Sequence, residues 1–180
     1  MSDRGHTTRE TAEAKRARTS VADELTLHAT CVALGDRGVL ITGPSGGGKS
    51  DLALRLIDEG ARLVADDLTT LRMADGALTA LAPPDLVGAL AGHIEVQGIG
   101  IVAVTAAARV RLALEVALTP AAEIERLPEP ETAQYLGVAL RKVRIDPFTA
   151  SAAAKVRLAA TVSALKPKSA PTSAPPTEAR

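Results

Sequence analysis

Residues Gly43-Pro44-Ser45-Gly46-Gly47-Gly48-Lys49-Ser50 complete a G-x-x-x-x-G-K-S/T pattern. Such a loop is built to hold phosphates. Its backbone N–H groups converge on an anion at the positive end of the following helix, the lysine reaches the β- and γ-phosphates, and the serine hydroxyl is a magnesium ligand. Phosphoryl transfer also requires a second metal ligand and a group that handles the acceptor's proton. Asp66 and Asp67 fit those needs, because the apolar run Leu63-Val64-Ala65 delivers them to the carboxyl end of a strand, where α/β sheets bind ligands. Neighbouring strand residues point to opposite sides, so the two carboxylates take different tasks. One faces the γ-phosphate as a base and the other faces the metal or its waters.

The elements that must position these groups are legible in the hydrophobic pattern. Leu25 to Leu34 alternates apolar and polar residues, and Gly35-Asp36-Arg37-Gly38 turns the chain into Val39-Leu40-Ile41-Thr42, a strand hairpin that feeds the loop. Ser50 to Glu59 carries Leu52, Leu54, Leu56 and Ile57 at roughly helical spacing and stops at Gly60. Arg62 to Ala65 is a strand, and Thr69–Met73 with Ala77–Leu81 forms a second hairpin around Asp75-Gly76. Leu86 to Ala91 fits either a helix or a strand. Ile101–Val104 and Val110–Leu118 read as strands, and Ser151–Leu165 as a closing helix. The fold class is α/β with one domain at 23–165. Residues 1–22 form a disordered lead, and the Pro/Ser/Ala-rich 166–180 a disordered tail.

Composition removes several alternatives. The 180 residues carry 21 basic and 21 acidic side chains, so any phosphate recognition is local and a general polyanion binder is disfavoured. Tyr135 and Phe148 are the only aromatic residues, which argues against a stacking platform for single-stranded nucleic acid. With one cysteine, Cys31, an intrachain disulfide is impossible, and no Cys/His spacing suits structural zinc. Signal-peptide and membrane-spanning apolar runs are missing, which fits a cytoplasmic protein.

Four segments together resemble the catalytic domain of bacterial HPr kinase/phosphorylase, which phosphorylates a serine of the phosphocarrier HPr. They are His28, the GPSGGGKS loop, Gly60 to Asp67, and Ile94-Glu95-Val96-Gln97-Gly98-Ile99-Gly100-Ile101. The spacing matches too: 15 residues from His28 to Gly43 and 17 from Ser50 to Asp67. The resemblance implies a phosphate-loop core with a mixed β-sheet, similar to that of phosphoenolpyruvate carboxykinase. It implies ATP as donor, Mg²⁺ as cofactor, an HPr-like acceptor and a homo-oligomer. Asp67 would take the serine proton, with His28, Lys49 and Asp66 completing the catalytic group and Ser50 and Glu95 holding magnesium.

The chain departs from that family in three places. It lacks room for the family's N-terminal domain, which implies a short form. Gln97 stands where an arginine is usual, and Tyr135-Leu136-Gly137 replaces an Arg-Leu-Gly with no Pro-Gly-Arg-Asn loop after it. These elements serve mainly the dephosphorylating direction, so phosphorolysis stays open; Arg141, Lys142 and Arg144 are the nearby basic residues available to replace the charge. Two other readings fit the same loop: a kinase or ATPase for a small molecule, and a nucleotide-dependent sensor with little turnover.

Overall fold

Alternation along the strands sorts the apolar side chains onto two faces of one sheet. In the computed structural model, which describes residues 24–84 and 91–162, the strands are β1 (Glu24–His28), β2 (Thr30–Leu34), β3 (Arg37–Thr42), β4 (Arg62–Ala65), β5 (Leu68–Ala74), β6 (Ala77–Leu81), β7 (His93–Val96), β8 (Gly100–Ala103), β9 (Arg109–Leu118), β10 (Glu131–Tyr135) and β11 (Val138–Ile145). The helices are α1 (Lys49–Asp58) and α2 (Ala152–Thr161). Nine strands form a mixed sheet in the order β1-β5-β6-β9-β3-β2-β4, with β11 also on β9 and β10 on β11. The β7–β8 hairpin stands apart as a two-stranded sheet.

Both helices pack on one face. Val39 and Ile41 of β3 and Val32 of β2 meet Leu52 and Leu56 of α1 and Val156 of α2. The intervening residues Cys31, Ala33 and Leu40 point to the other face, which Leu71, Leu78 and Leu140 close from β5, β6 and β11. The long strand β9 serves both faces in turn. Its Val110 and Leu112 belong to the second core, whereas Leu114, Val116 and Leu118 belong to the helix side. Register against β3 runs Gly38↔Leu112 and then Val39↔Leu114, so Ala113 is an extra residue and inverts the in/out phase.

Local chemistry explains the element ends. Helix α1 stops where Gly60 adopts φ 98°, with its N–H donating to the Ile57 carbonyl and that of Ala61 to Leu56. That is the glycine-terminated helix end seen in many folds. Asp75 and Gly76 both have positive φ, as a two-residue hairpin turn requires.

The structure refines several expectations. Leu25 to Leu34 is two strands, broken at Ala29, whose N–H donates to the Asp67 carbonyl while its own carbonyl accepts from the Thr69 hydroxyl. Consequently β1 pairs only with β5, and β2 with β3 and β4. Strands β7, β10 and β11 were not expected; β10 alternates half-buried and exposed side chains and gives little hydrophobic signal. The ambiguous Leu86–Ala91 lies, except for Ala91, outside the described residues, as do 1–22, 166–180 and the last three residues of the expected closing helix. No helix among the described residues is long and apolar enough to cross a membrane.

Two measurements check this core. Leu40 is fully buried on the central strand β3, so Leu40→Ala should lower unfolding free energy by about 2–5 kcal/mol, read as a lower denaturant midpoint with unchanged slope. Burial also pushes the Cys31 thiol well above its usual range. A neutral-pH thiol reagent should therefore leave the native protein unlabelled and react fully once it unfolds.

Candidate active site

The glycine loop leaves β3 at Thr42 and enters α1 at Lys49. Gly48, the residue before the helix, adopts φ 88°, and no side chain caps the first turn. Its N–H groups therefore face outward, available to an anion. At Gly47 a Cβ would lie 2.9 Å from the Pro44 carbonyl oxygen, so the tight loop admits no side chain there. Lys49 is buried, and its ammonium donates to the carbonyls of Gly43 (3.2 Å) and Pro44 (2.9 Å). The charge is held inside the loop. Thr42, just below, donates its hydroxyl to Glu115 Oε1 at 2.8 Å, anchoring the end of β3 to β9.

The two aspartates diverge, although not by strand alternation, since both lie between the end of β4 and the start of β5. Asp66 Oδ1 accepts two hydroxyls, Thr30 Oγ at 2.8 Å and Ser50 Oγ at 2.9 Å. Three elements meet there: the start of β2, the start of α1 and the end of β4. The next residue, Asp67, has φ 62°, and the Leu68 N–H donates across it to the Asp66 carbonyl at 2.7 Å. This left-handed, three-residue turn is a strained conformation of the kind found at functional sites. It leaves the Asp67 side chain exposed while Asp66 points to the helix.

Two cavities flank this turn. The larger, about 820 Å³, is lined by Ser45, Gly46, Gly48, Lys49 and Ser50 of the loop together with Asp67, Glu95, Gln97 and Phe148. The smaller, about 250 Å³ and mostly apolar, lies beyond Asp66 and Asp67 and is bounded by Pro83, His93, Glu95 and Ile101. Asp67 and Glu95 line both cavities. Among the expected site residues, the structure thus gathers the loop, Lys49, Ser50, Asp66, Asp67 and Glu95. His28 lies at the edge. It is exposed at the end of β1, paired in register with Leu68, and lines neither cavity.

The donor set suits magnesium. Ser50, Asp67 and Glu95 offer hard oxygen atoms on the loop cavity with Asp66 behind Ser50, while among the described residues no three His, Cys, Asp or Glu side chains come together to hold a metal ion by themselves. Magnesium is normally held by one or two carboxylates plus substrate phosphates, and that pattern is available here.

The basic residues Arg141 and Arg144 are used elsewhere. Arg141 Nη1 donates to the carbonyls of Ala159 (2.6 Å) and Val162 (2.8 Å) at the end of α2, and Arg144 pairs with Glu131 at 2.8 Å. Neither they nor Lys142 line the loop cavity. Tyr135 also sits away from it, packed on the second core; burial and the neighbouring Glu115 charge push its phenol upward. Sequence reading missed Thr30 and Thr42, hydroxyls in ordinary strands that belong to no motif. It used Phe148 only as one of two aromatic residues, too few for a single-stranded nucleic-acid platform.

The known proteins to which this chain is similar point to one family. A family model described as the HPr Serine kinase C-terminal domain matches residues 19–174. An HPr kinase/phosphorylase of Clostridium botulinum (strain Eklund 17B / Type B) is 46% identical over 85 residues, 47% of this chain and 27% of that protein. The HPr kinase/phosphorylase of Burkholderia lata is 35% identical over 137 residues, 70% of this chain and 41% of that protein. The chain thus spans less than half the length of these curated relatives. The solved structure of the Hpr(Ser) kinase/phosphatase from Coxiella burnetii superposes with a TM-score of 0.63 at 27% identity, covering 74% of this chain and 86% of that one. With the family model spanning most of its residues, the chain belongs to the HPr serine kinase C-terminal domain family.

Proposed function

We propose that this domain is an ATP- and magnesium-dependent protein-serine kinase whose acceptor is an HPr-like phosphocarrier. The observation that carries the proposal is the position of Asp67, on the wall shared by a phosphate-binding cavity and a second cavity from which an acceptor can enter. Two substrates can approach one carboxylate from opposite sides. A small-molecule kinase, an ATPase and a non-catalytic sensor remain the outcomes against which it is tested.

The residues divide the work. Loop N–H groups and Lys49 hold the terminal phosphates and offset their charge. Bound at Ser50, with Asp66 behind that hydroxyl and Glu95 across the cavity, magnesium would supply further charge neutralisation between the phosphates. Asp67 accepts the proton of the acceptor hydroxyl as the serine oxygen bonds to the γ-phosphorus and the bond to the departing diphosphate breaks. Asp66 acts through Ser50: by accepting its hydroxyl proton it fixes where that oxygen's lone pairs point. His28, whose register partner Leu68 follows the Asp67 turn, completes the catalytic group from behind that turn and outside both cavities. The nucleotide-binding core is read as a phosphate-loop fold with a mixed sheet, similar to that of phosphoenolpyruvate carboxykinase, and the domain as 23–165. We place the protein in the cytoplasm, as a homo-oligomer.

The forward direction is favoured. Among the described residues Lys49 is the one cation lining the loop cavity, and Gln97 faces it where the family resemblance places an arginine. Attack by inorganic phosphate on a phosphoserine brings two anions together and needs more positive charge than this.

The assay is transfer of label from ATP to a purified HPr-like carrier with magnesium, and its reversal with inorganic phosphate. Labelled carrier with slower phosphorolysis is expected; ATP consumption with an unlabelled carrier would replace the proposal with an ATPase or small-molecule kinase. Asp67→Asn should reduce transfer by about 10²–10⁴-fold while ATP affinity stays within about threefold. Asp66→Asn should act on the metal, raising the magnesium concentration for half-maximal transfer by about tenfold or more.

A further inference from the structure

We infer that Phe148 is the stacking platform for the nucleotide base, a role that rests on the nucleotide-binding reading above and extends it to the other end of the ligand. Phe148 is 76% exposed, one of two aromatic residues in the chain, and its ring lies on the wall of the loop cavity. An exposed phenylalanine alone signifies little. Here the backbone beneath it is fixed from several sides. The Phe148 N–H donates to Asp146 Oδ1 at 2.9 Å, and the Thr149 hydroxyl donates to the Asp146 carbonyl at 3.0 Å. Arg55 of α1 donates to the carbonyls of Pro147 and Thr149 while pairing with Asp51 at 2.8 Å. Pro147 fixes its own φ and covers Gly48, where a Cβ would sit 3.4 Å from the proline ring and 3.6 Å from Phe148 Cε1. The protein thus fixes the backbone that carries an apolar ring beside an open cavity, which lowers part of the entropy lost when a ligand covers it.

The direction of the ligand follows from the site. Lys49, Asp67 and Glu95 mark the end where the terminal phosphate reacts. A nucleotide bound that way runs its remaining phosphates past Ser50 and the first turn of α1, where Asp51 and Leu54 line the same cavity as Phe148. Its base then meets the ring, with Leu54 as a second apolar surface. A phenyl ring offers stacking area and no hydrogen bond, so it holds purines by surface and tolerates exchange of their polar edges. One ring suffices for one base, whereas a nucleic-acid strand needs several in series.

The test compares ATP with inorganic tripolyphosphate, which has the phosphates without the base. Dissociation constants are measured by calorimetry on the full chain as wild type, Phe148→Ala and Phe148→Trp, with circular dichroism confirming unchanged folding. Phe148→Ala should weaken ATP and GTP binding roughly 5- to 150-fold and leave tripolyphosphate within about twofold. Phe148→Trp should restore ATP affinity. Because the chain has no other tryptophan, its fluorescence should change on adding ATP and stay constant with tripolyphosphate. Equal losses for ATP and tripolyphosphate, or an unchanged ATP affinity, would overturn the platform. So would unchanged ATP affinity with a raised KM for the carrier, which would give the ring to the acceptor. If the wild type binds neither ATP nor tripolyphosphate, it is the nucleotide reading itself that fails.

Discussion

One carboxylate oxygen, Asp66 Oδ1, accepts hydroxyls from both Thr30 and Ser50, and the organisation of the site depends on that junction. Strands β3 and β4 run the same way with the antiparallel β2 between them, so their carboxyl ends and the beginning of β2 come out at one edge. The intervening strand would separate the acid from the loop were it not for two features. Thr30 sits where β2 starts, and the first turn of α1 brings Ser50 across to the same oxygen. Hydrogen bonds to an ionised group contribute about 1.5–3 kcal/mol each. With Asp66 committed in this way, the turn at Asp67 leaves the second carboxylate exposed, and one dipeptide presents its two acids to different surroundings.

The sheet supports this edge through β9. Its bulge at Ala113 changes which side chains face each core, so the first half of the strand, paired with β6, faces the second core and the second half packs under the helices. Beyond the bulge, Glu115 is buried opposite Leu40 and receives the Thr42 hydroxyl directly beneath the glycine loop. The loop is therefore fastened at both ends, by β9 below and by α1 beyond. Two arginines complete the helix side: Arg37 and Arg141 donate to the last carbonyls of α2, which a helix leaves unpaired.

Much of this was legible in the residues themselves. The glycine loop is a motif because each of its positions answers to a steric or electrostatic demand, and the strand-to-acid step at Ala65-Asp66-Asp67 follows from hydrophobic runs ending in charge. Family resemblance supplied Glu95, which the structure places on the cavity wall. Other features had no local signature. The break at Ala29 arises from long-range hydrogen bonds to Asp67 and Thr69, and the bulge at Ala113 from a register set by a distant strand. Strand β10 alternates half-buried and exposed residues, and Arg141-Lys142 interrupts the apolar pattern of β11, so pairing outweighs pattern in both. The place of Phe148 was not legible for a different reason: a lone aromatic has no spacing to read, and the cavity it lines forms only in the fold.

The claim at the centre is that Asp66 serves the metal side and Asp67 the acceptor side of one phosphate cavity. A crystal structure of the chain with magnesium and a non-hydrolysable ATP analogue tests it most directly. Expected is a terminal phosphate enclosed by the glycine loop, Lys49 Nζ moved from the Gly43 and Pro44 carbonyls onto it, a metal at Ser50 on the Asp66 side, and Asp67 free toward the smaller cavity. A nucleotide seated elsewhere, or a metal bound by Asp67 with Asp66 still holding only Thr30 and Ser50, would contradict it.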